Sequence, residues 1–135
     1  MLGMLLRNPA MANAPLTWVY GLATFMVADA ITGSTLFVTL TLNTANVLGV
    51  LTAWLYLRRK DKEVLTFQRQ RSVLVMFTGC LLGAVGCTAA GAWPGSIAFG
   101  VPLWRSMALW VSGEFYNFIL IVPLFMAAPK CWFWT

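Results

Sequence analysis

Histidine is absent from this chain, and only four of its 135 residues are acidic. Without His, the commonest metal ligand and general base is missing, and no CxxC pair stands in for it. We therefore expect no metal centre and no cofactor. Neither a nucleophile–base pair nor a phosphate-binding loop can be found, so the reading is not an enzyme. Charge is scarce as well: 10% of residues are charged, against about 25% in a soluble domain. Of the three cysteines, Cys80 and Cys87 sit two helical turns apart in an apolar run and Cys131 lies near the C-terminus. Small, buried, free packing residues are the ordinary reading of such cysteines.

Apolar residues are what the chain has in excess. They make up 60% of it, and the mean hydropathy is +0.78. A spanning helix needs about 20 mostly apolar residues. Residues 15–33, 34–57, 72–92 and 104–128 meet that requirement. The fold expected is all-α: a polytopic transmembrane bundle of four helices forming a single domain over residues 1–135. Thr32, Gly33 and Ser34 leave room only for a tight turn, which makes the first two helices antiparallel neighbours. The third and fourth are joined by residues 93–102, a linker containing Pro94, Gly95, Gly100 and Pro102 that would dip into the membrane surface or fold over the bundle. Pro123 should kink the last helix or be absorbed near its end. Residues 1–6 are apolar but too short for an ordinary secretory signal, and the start reads as though a helix preceded it.

Basic residues are concentrated in one place. Six of the nine Lys and Arg, namely Arg58, Arg59, Lys60, Lys62, Arg69 and Arg71, fall within residues 58–71. Loops this basic stay on the cytoplasmic side. With four spans, both termini share that side, which then collects these six, Arg7 and Lys130, while Arg105 alone lies opposite. N- and C-termini are accordingly expected in the cytoplasm. The bilayer is the expected partner, with anionic lipids meeting the basic loop. No basic groove or aromatic platform points to nucleic acid. Within the loop, Asp61 is a candidate N-cap for a surface helix placing Val64, Leu65 and Phe67 on the membrane and Lys62, Arg69 and Arg71 at lipid phosphates; a solvated linker fits equally well. Trp18, Tyr20, Trp54, Tyr56, Trp93, Trp104, Trp132 and Trp134 lie near segment ends and suit the headgroup layer.

Polar residues inside the spans form the candidate site. Ionisable groups at membrane depth are costly and mark function by default. Asp29 falls in the last third of the first span and Glu114 near the middle of the fourth. Asn117 shares the Glu114 face, and Asn43 and Asn46 share a face of the second span, with Thr39 and Thr44 nearby. If these faces converge, Asp29, Asn43, Asn46, Glu114 and Asn117 form a polar cluster that binds a small molecule or responds to protons. The competing reading is that the amides merely fix helix packing. Contacts of that kind average only about 0.6 kcal/mol between spans, a modest reason to keep a carboxylate at depth. In the third span Gly79, Gly83, Cys87 and Gly91 recur every four residues, a ridge that admits another helix at close range. The partner helix, in this chain or another, is left open.

Taken in order, several segments resemble the MASE1 family of bacterial membrane-associated sensor domains. Leu5-Leu6-Arg7-Asn8-Pro9 followed by Trp18 looks like its opening, and Phe25-Met26-Val27-Ala28-Asp29 looks like its F-x-x-A-D stretch. Asn46 followed by Leu55-Tyr56-Leu57-Arg58-Arg59 is similar to its Asn-bearing helix, and Phe67 to Val75 ahead of the Gly-rich helix resembles its next segment. Trp110, Glu114 and Pro123 resemble its W…D…P helix, with Glu114 four residues on in place of an Asp one turn on. Gly49 stands where the family suggests an acidic residue. The family's domain is longer, and its members usually continue into a diguanylate cyclase, phosphodiesterase or histidine kinase; no GGDEF, EAL or kinase His occurs in these residues.

The resemblance implies a sensory, signal-transducing membrane module of the bacterial inner membrane, acting on a cytoplasmic output partner or as a homo-oligomer. An alternative is a small proton-coupled transporter. Against it, Glu114 lies in the fourth span, whereas small multidrug exporters resemble one another in carrying theirs in the first, and the charge bias excludes dual topology. A membrane scaffold subunit is the plainest remaining reading.

Overall fold

The computed structural model describes residues 1–60 and 70–127, and every regular element among them is helical. Two short helices open the chain, α1 (Leu2–Arg7) and α2 (Pro9–Asn13). Four longer ones follow: α3 (Pro15–Ile31), α4 (Leu36–Leu57), α5 (Gln70–Phe99) and α6 (Leu103–Ala127).

Local chemistry sets the boundaries. Asn8 caps α2 by accepting from the Ala10 amide at 3.2 Å, and Pro9 and Pro15 open α2 and α3, where no N–H is needed. Thr35 caps α4 through its hydroxyl, which accepts from the Val38 amide at 3.4 Å. α3 and α5 end in the same way. Gly33 and Gly100 take φ of +81° and +63°, and the next amides reach back five residues, Ser34 N–H to Asp29 O and Val101 N–H to Ser96 O, both at 3.2 Å. These are Schellman endings, which need a residue without Cβ strain at the left-handed position.

α4, α5 and α6 are long and apolar enough to cross a membrane. α3, the first expected span, has 17 residues, about 26 Å at 1.5 Å per residue. It buries none of its residues fully, and among the described helices it packs on α4 and α2. The expected linker over residues 93–102 is corrected: α5 runs through Pro94 and Gly95 to Phe99. A proline in mid-helix removes its own hydrogen bond to the preceding turn and crowds that turn's carbonyl. Here the neighbouring turn is held from outside, because the Ser106 hydroxyl donates to Ala92 O at 2.8 Å and buried Gly95 lies against Trp110. α6 likewise continues through Pro123 to Ala127.

α5 is the central element, flanked by α4 and α6. The small-residue ridge is where both neighbours approach, so its partners lie in this chain. A Cβ on Gly79 would meet the Leu57 side chain at 2.7 Å, and one on Gly83 would meet Ala53 Cβ and Phe118 at 3.0 Å. Cys87 packs on Gly49 of α4, whereas Gly91 and Gly95 seat the Trp110 indole of α6. α1 was not foreseen as a core element. It inserts between α4 and α6, burying Leu2 and Leu5, and Gly3 brings its backbone against Phe125. Outward faces carry exposed Ile31, Leu36, Leu74, Leu120 and Leu124. Lipid tails are the solvent such a surface suits.

At the end of the bundle that bears the basic segment, Trp18 and Trp54 meet edge to face at 5.9 Å, and the Trp18 indole N–H donates to Ala12 O at 3.0 Å. The Arg58 guanidinium lies 4.4 Å from the Trp54 ring centre, and Lys60 Nζ lies 4.8 Å from that of Tyr56. These aromatic rings therefore tie α3, α4 and the basic segment together as well as suiting an interface. Arg59 and Arg71 are exposed. Lys62 and Arg69, the candidate surface helix starting at Asp61, and Cys131, Trp132 and Trp134 lie outside the described residues.

Candidate functional site

The five polar residues singled out in the spans divide into a pair and a trio. Asp29, near the end of α3, pairs with Asn43 of α4: Asn43 Nδ2 donates to Asp29 Oδ2 at 2.8 Å. The same amide nitrogen donates to Thr39 O one turn earlier, also at 2.8 Å. Asn43 thus spends both N–H groups, one within its own helix and one across to α3.

One turn along α4, Asn46 faces a different space. It lines a cavity of about 280 Å³ together with Glu114 and Asn117 of α6. Asn117 follows Glu114 by three residues on α6 and borders the same cavity. Asn46 Oδ1 is shielded from solvent and finds no hydrogen-bond partner among the described residues. Such an orphaned acceptor is destabilising by about 1–3 kcal/mol. Behind Asn46, its carbonyl oxygen lies 4.0 Å from Cys87 Sγ.

The cavity walls are apolar and come from four helices. Leu2 of α1, Phe25 of α3, Val50 of α4, and Phe118, Ile121 and Val122 of α6 complete it. None of these was named as a site residue from the sequence, yet helical spacing points to four of them. Phe25 lies one turn before Asp29, Val50 one turn after Asn46, and Phe118 and Ile121 one turn after Glu114 and Asn117. On the other side of α6, Glu114 and Asn117 also border a more open cleft of about 280 Å³ with Phe99, Ser106 and Trp110. Glu114 therefore stands between two spaces, while Asp29 is held one helix away by Asn43.

Chemically, the trio offers one carboxyl and two amide side chains at the edge of a small, mostly hydrocarbon chamber. Such a combination binds and orients a small molecule, since apolar walls supply contact and a few polar groups set direction.

No family model matches the chain, and no solved structure matches it. It is similar to the probable diguanylate cyclase DgcF of Escherichia coli O157:H7, with 33% identity over 107 residues. The match covers 77% of this chain and 22% of that protein's length.

Proposed function

We propose that this chain is a membrane sensory module of the MASE1 type, working with a cytoplasmic signalling output such as a diguanylate cyclase. The observation that carries this reading is the similarity of most of the chain to about a fifth of a probable diguanylate cyclase. The motif order running from the Leu5–Pro9 segment through Asp29 and Asn46 to Trp110 and Pro123 adds the resemblance to MASE1. Apolar helices with exposed hydrocarbon faces suit a bacterial inner membrane. In this reading α3 is the first of four spans, and the basic segment from Arg58 lies in the cytoplasm with both termini.

Sensing needs two packings of the bundle that a ligand stabilises unequally. The chamber of Asn46, Glu114 and Asn117 touches α1, α3, α4 and α6 together, so a molecule held there bears on the relative positions of four helices. The basic segment follows directly from α4, which carries Asn46, and is the natural contact for the output partner.

The test is a fusion of the chain to a cytoplasmic diguanylate cyclase domain in cells. Glu114→Gln and Asn46→Leu should each shift cyclic diguanylate output several-fold at equal membrane abundance. Unchanged output in both variants would make the chamber structural and the sensory reading wrong. Substrate-driven proton flux in proteoliposomes, abolished by Glu114→Gln, would establish a transporter instead.

A further inference from the structure

α6 turns two faces in different directions. Phe118 and Val122 are buried against the helices of this chain. On the other side Gly113, Asn117, Leu120, Leu124 and Ala127 are exposed, and α6 is the least buried of the three helices long enough to span a membrane. These exposed residues are spaced four, three, four and three apart, the alternation of d and a positions in a heptad repeat. A Cβ at Gly113 would meet nothing within 4 Å, and the open cleft bordered by Leu109, Gly113 and Asn117 lies along this face.

One residue of the seam does not suit lipid. Exposed hydroxyls in the spans are satisfied by their own helices: Thr78 donates to Leu74 O at 2.8 Å and Ser112 to Ala108 O at 2.7 Å. Among the described residues, no other helix gives the Asn117 amide a hydrogen bond. Asn117 stands near the middle of α6, where hydrocarbon cannot pair an amide and leaving it unpaired is costly. An apolar partner helix would leave the same cost in place. The occupant of this face has to bring a donor and an acceptor at the depth of Asn117.

A second copy of the chain does so by itself. Copies inserted in the same direction set α6 beside α6 in parallel, and a two-fold axis brings like residues together at one depth. An amide carries both donor and acceptor, so Asn117 is its own complement across that axis. A lone Asn at an a position fixes register and oligomer state in two-stranded coiled coils, and in a membrane such a contact also holds the helices together. We infer that this chain forms a parallel homodimer through α6, with Gly113, Asn117, Leu120 and Leu124 on the seam and the two Asn117 amides hydrogen-bonded across it. Asn117 also borders the chamber, so the dimer axis runs beside the candidate ligand site. This inference rests on the sensory reading only for what the dimer transmits, not for its formation.

Cysteine cross-linking of the full chain in native membranes tests the seam, in a Cys131→Ser background where buried Cys80 and Cys87 stay silent. Under a mild oxidant, Asn117→Cys, Leu120→Cys and Leu124→Cys should give disulfide-linked dimers, while Ser112→Cys and Ile119→Cys, on a neighbouring face, should not. Sedimentation equilibrium in density-matched micelles reads the affinity. Asn117→Leu should raise the dimer Kd about tenfold, Asn117→Gln, which keeps an amide, should stay within about threefold of the parent, and Ser112→Leu should leave it unchanged. Asn117 is exposed, so these variants keep the fold, as their unfolding midpoints will report. Cross-links that peak at residues 112 and 119, cross-links at none of the five positions, or a Kd indifferent to Asn117→Leu overturn the assignment. Seam cross-links with a fused cyclase reporter indifferent to both Asn46→Leu and Glu114→Gln leave the dimer standing and sink the sensory reading. A reporter that responds to those substitutions, without seam cross-links, does the reverse.

Discussion

Asn43 of α4 donates to the Asp29 carboxylate of α3 at 2.8 Å, and this bond joins the bundle's most peripheral long helix to its neighbour. α3 has few other anchors, since it buries no residue fully. The Trp18–Trp54 edge-to-face contact holds the other end. A double-mutant cycle of Asp29→Ala and Asn43→Ala, followed by unfolding in mixed micelles, should give a coupling of about 0.5–1.5 kcal/mol. A coupling of zero would mean that this bond does not help to hold α3 against α4.

Gly49 should be among the least replaceable residues. A Cβ there would fall on Cys87 Sγ and within 2.8 Å of Gly83 O, a backbone atom that cannot swing aside. Gly49→Ala is expected to destabilise by about 1–3 kcal/mol through overpacking. Gly113 is the control, because a Cβ at that position meets nothing within 4 Å. Gly113→Ala should be neutral or stabilising by up to about 1 kcal/mol through helix propensity. The two unfolding midpoints should therefore move in opposite directions or differ clearly in size.

Pro94 offers a sharper test of the extended α5. Within a helix, Pro94→Ala restores an amide that can bond back to Ala90 O, so stability should hold or rise, by at most about 3 kcal/mol. Gly100→Ala should do the opposite. Its φ of +63° places an L side chain in the left-handed region, at a penalty of about 1–2 kcal/mol. Destabilisation by Pro94→Ala would return residues 93–99 to a linker.

Orientation is checked by labelling single introduced cysteines with an impermeant maleimide, in a Cys131→Ser background. Cys80 and Cys87 are buried and should stay silent. Lys60→Cys should react only from the cytoplasmic side, and Ser34→Cys and Pro102→Cys only from the opposite side. Asn13→Cys decides whether the 17 residues of α3 cross the membrane: if they do, it labels with Lys60→Cys.

The long helices were legible because a run of about 20 apolar residues has few other uses, and Gly33 ended one where a turn residue was expected. The ridge from Gly79 to Gly91 was legible as a close approach, but not its partners, since spacing along one helix says nothing about which neighbour fills it. Trp110 stood out only as a motif residue; its role is to cover Gly91 and Gly95. Pro94 misled because proline is punctuation in water, while neighbouring helices supply the missing support here. α1 was illegible for a different reason: six residues hold too few turns for any periodic signal, and its burial is decided by α4 and α6. Within the site, residue types and spacing marked the right faces, and the division into an Asp29–Asn43 pair and an Asn46–Glu114–Asn117 chamber depended on the angle between helices.

The 30 residues of α5 have one more consequence. Such a helix is about 45 Å long, whereas a hydrocarbon core is about 30 Å thick. Standing upright, α5 leaves about a third of its length in the headgroup layers; leaning over, it shortens its vertical reach. Mismatch of this kind is worth fractions of a kcal/mol per Å. With Gly83 closed onto α4 and Gly91 onto Trp110 of α6, a lean of α5 is passed to both neighbours. In a bilayer, a change of thickness that tilts α5 would therefore bear on α4 and α6 together.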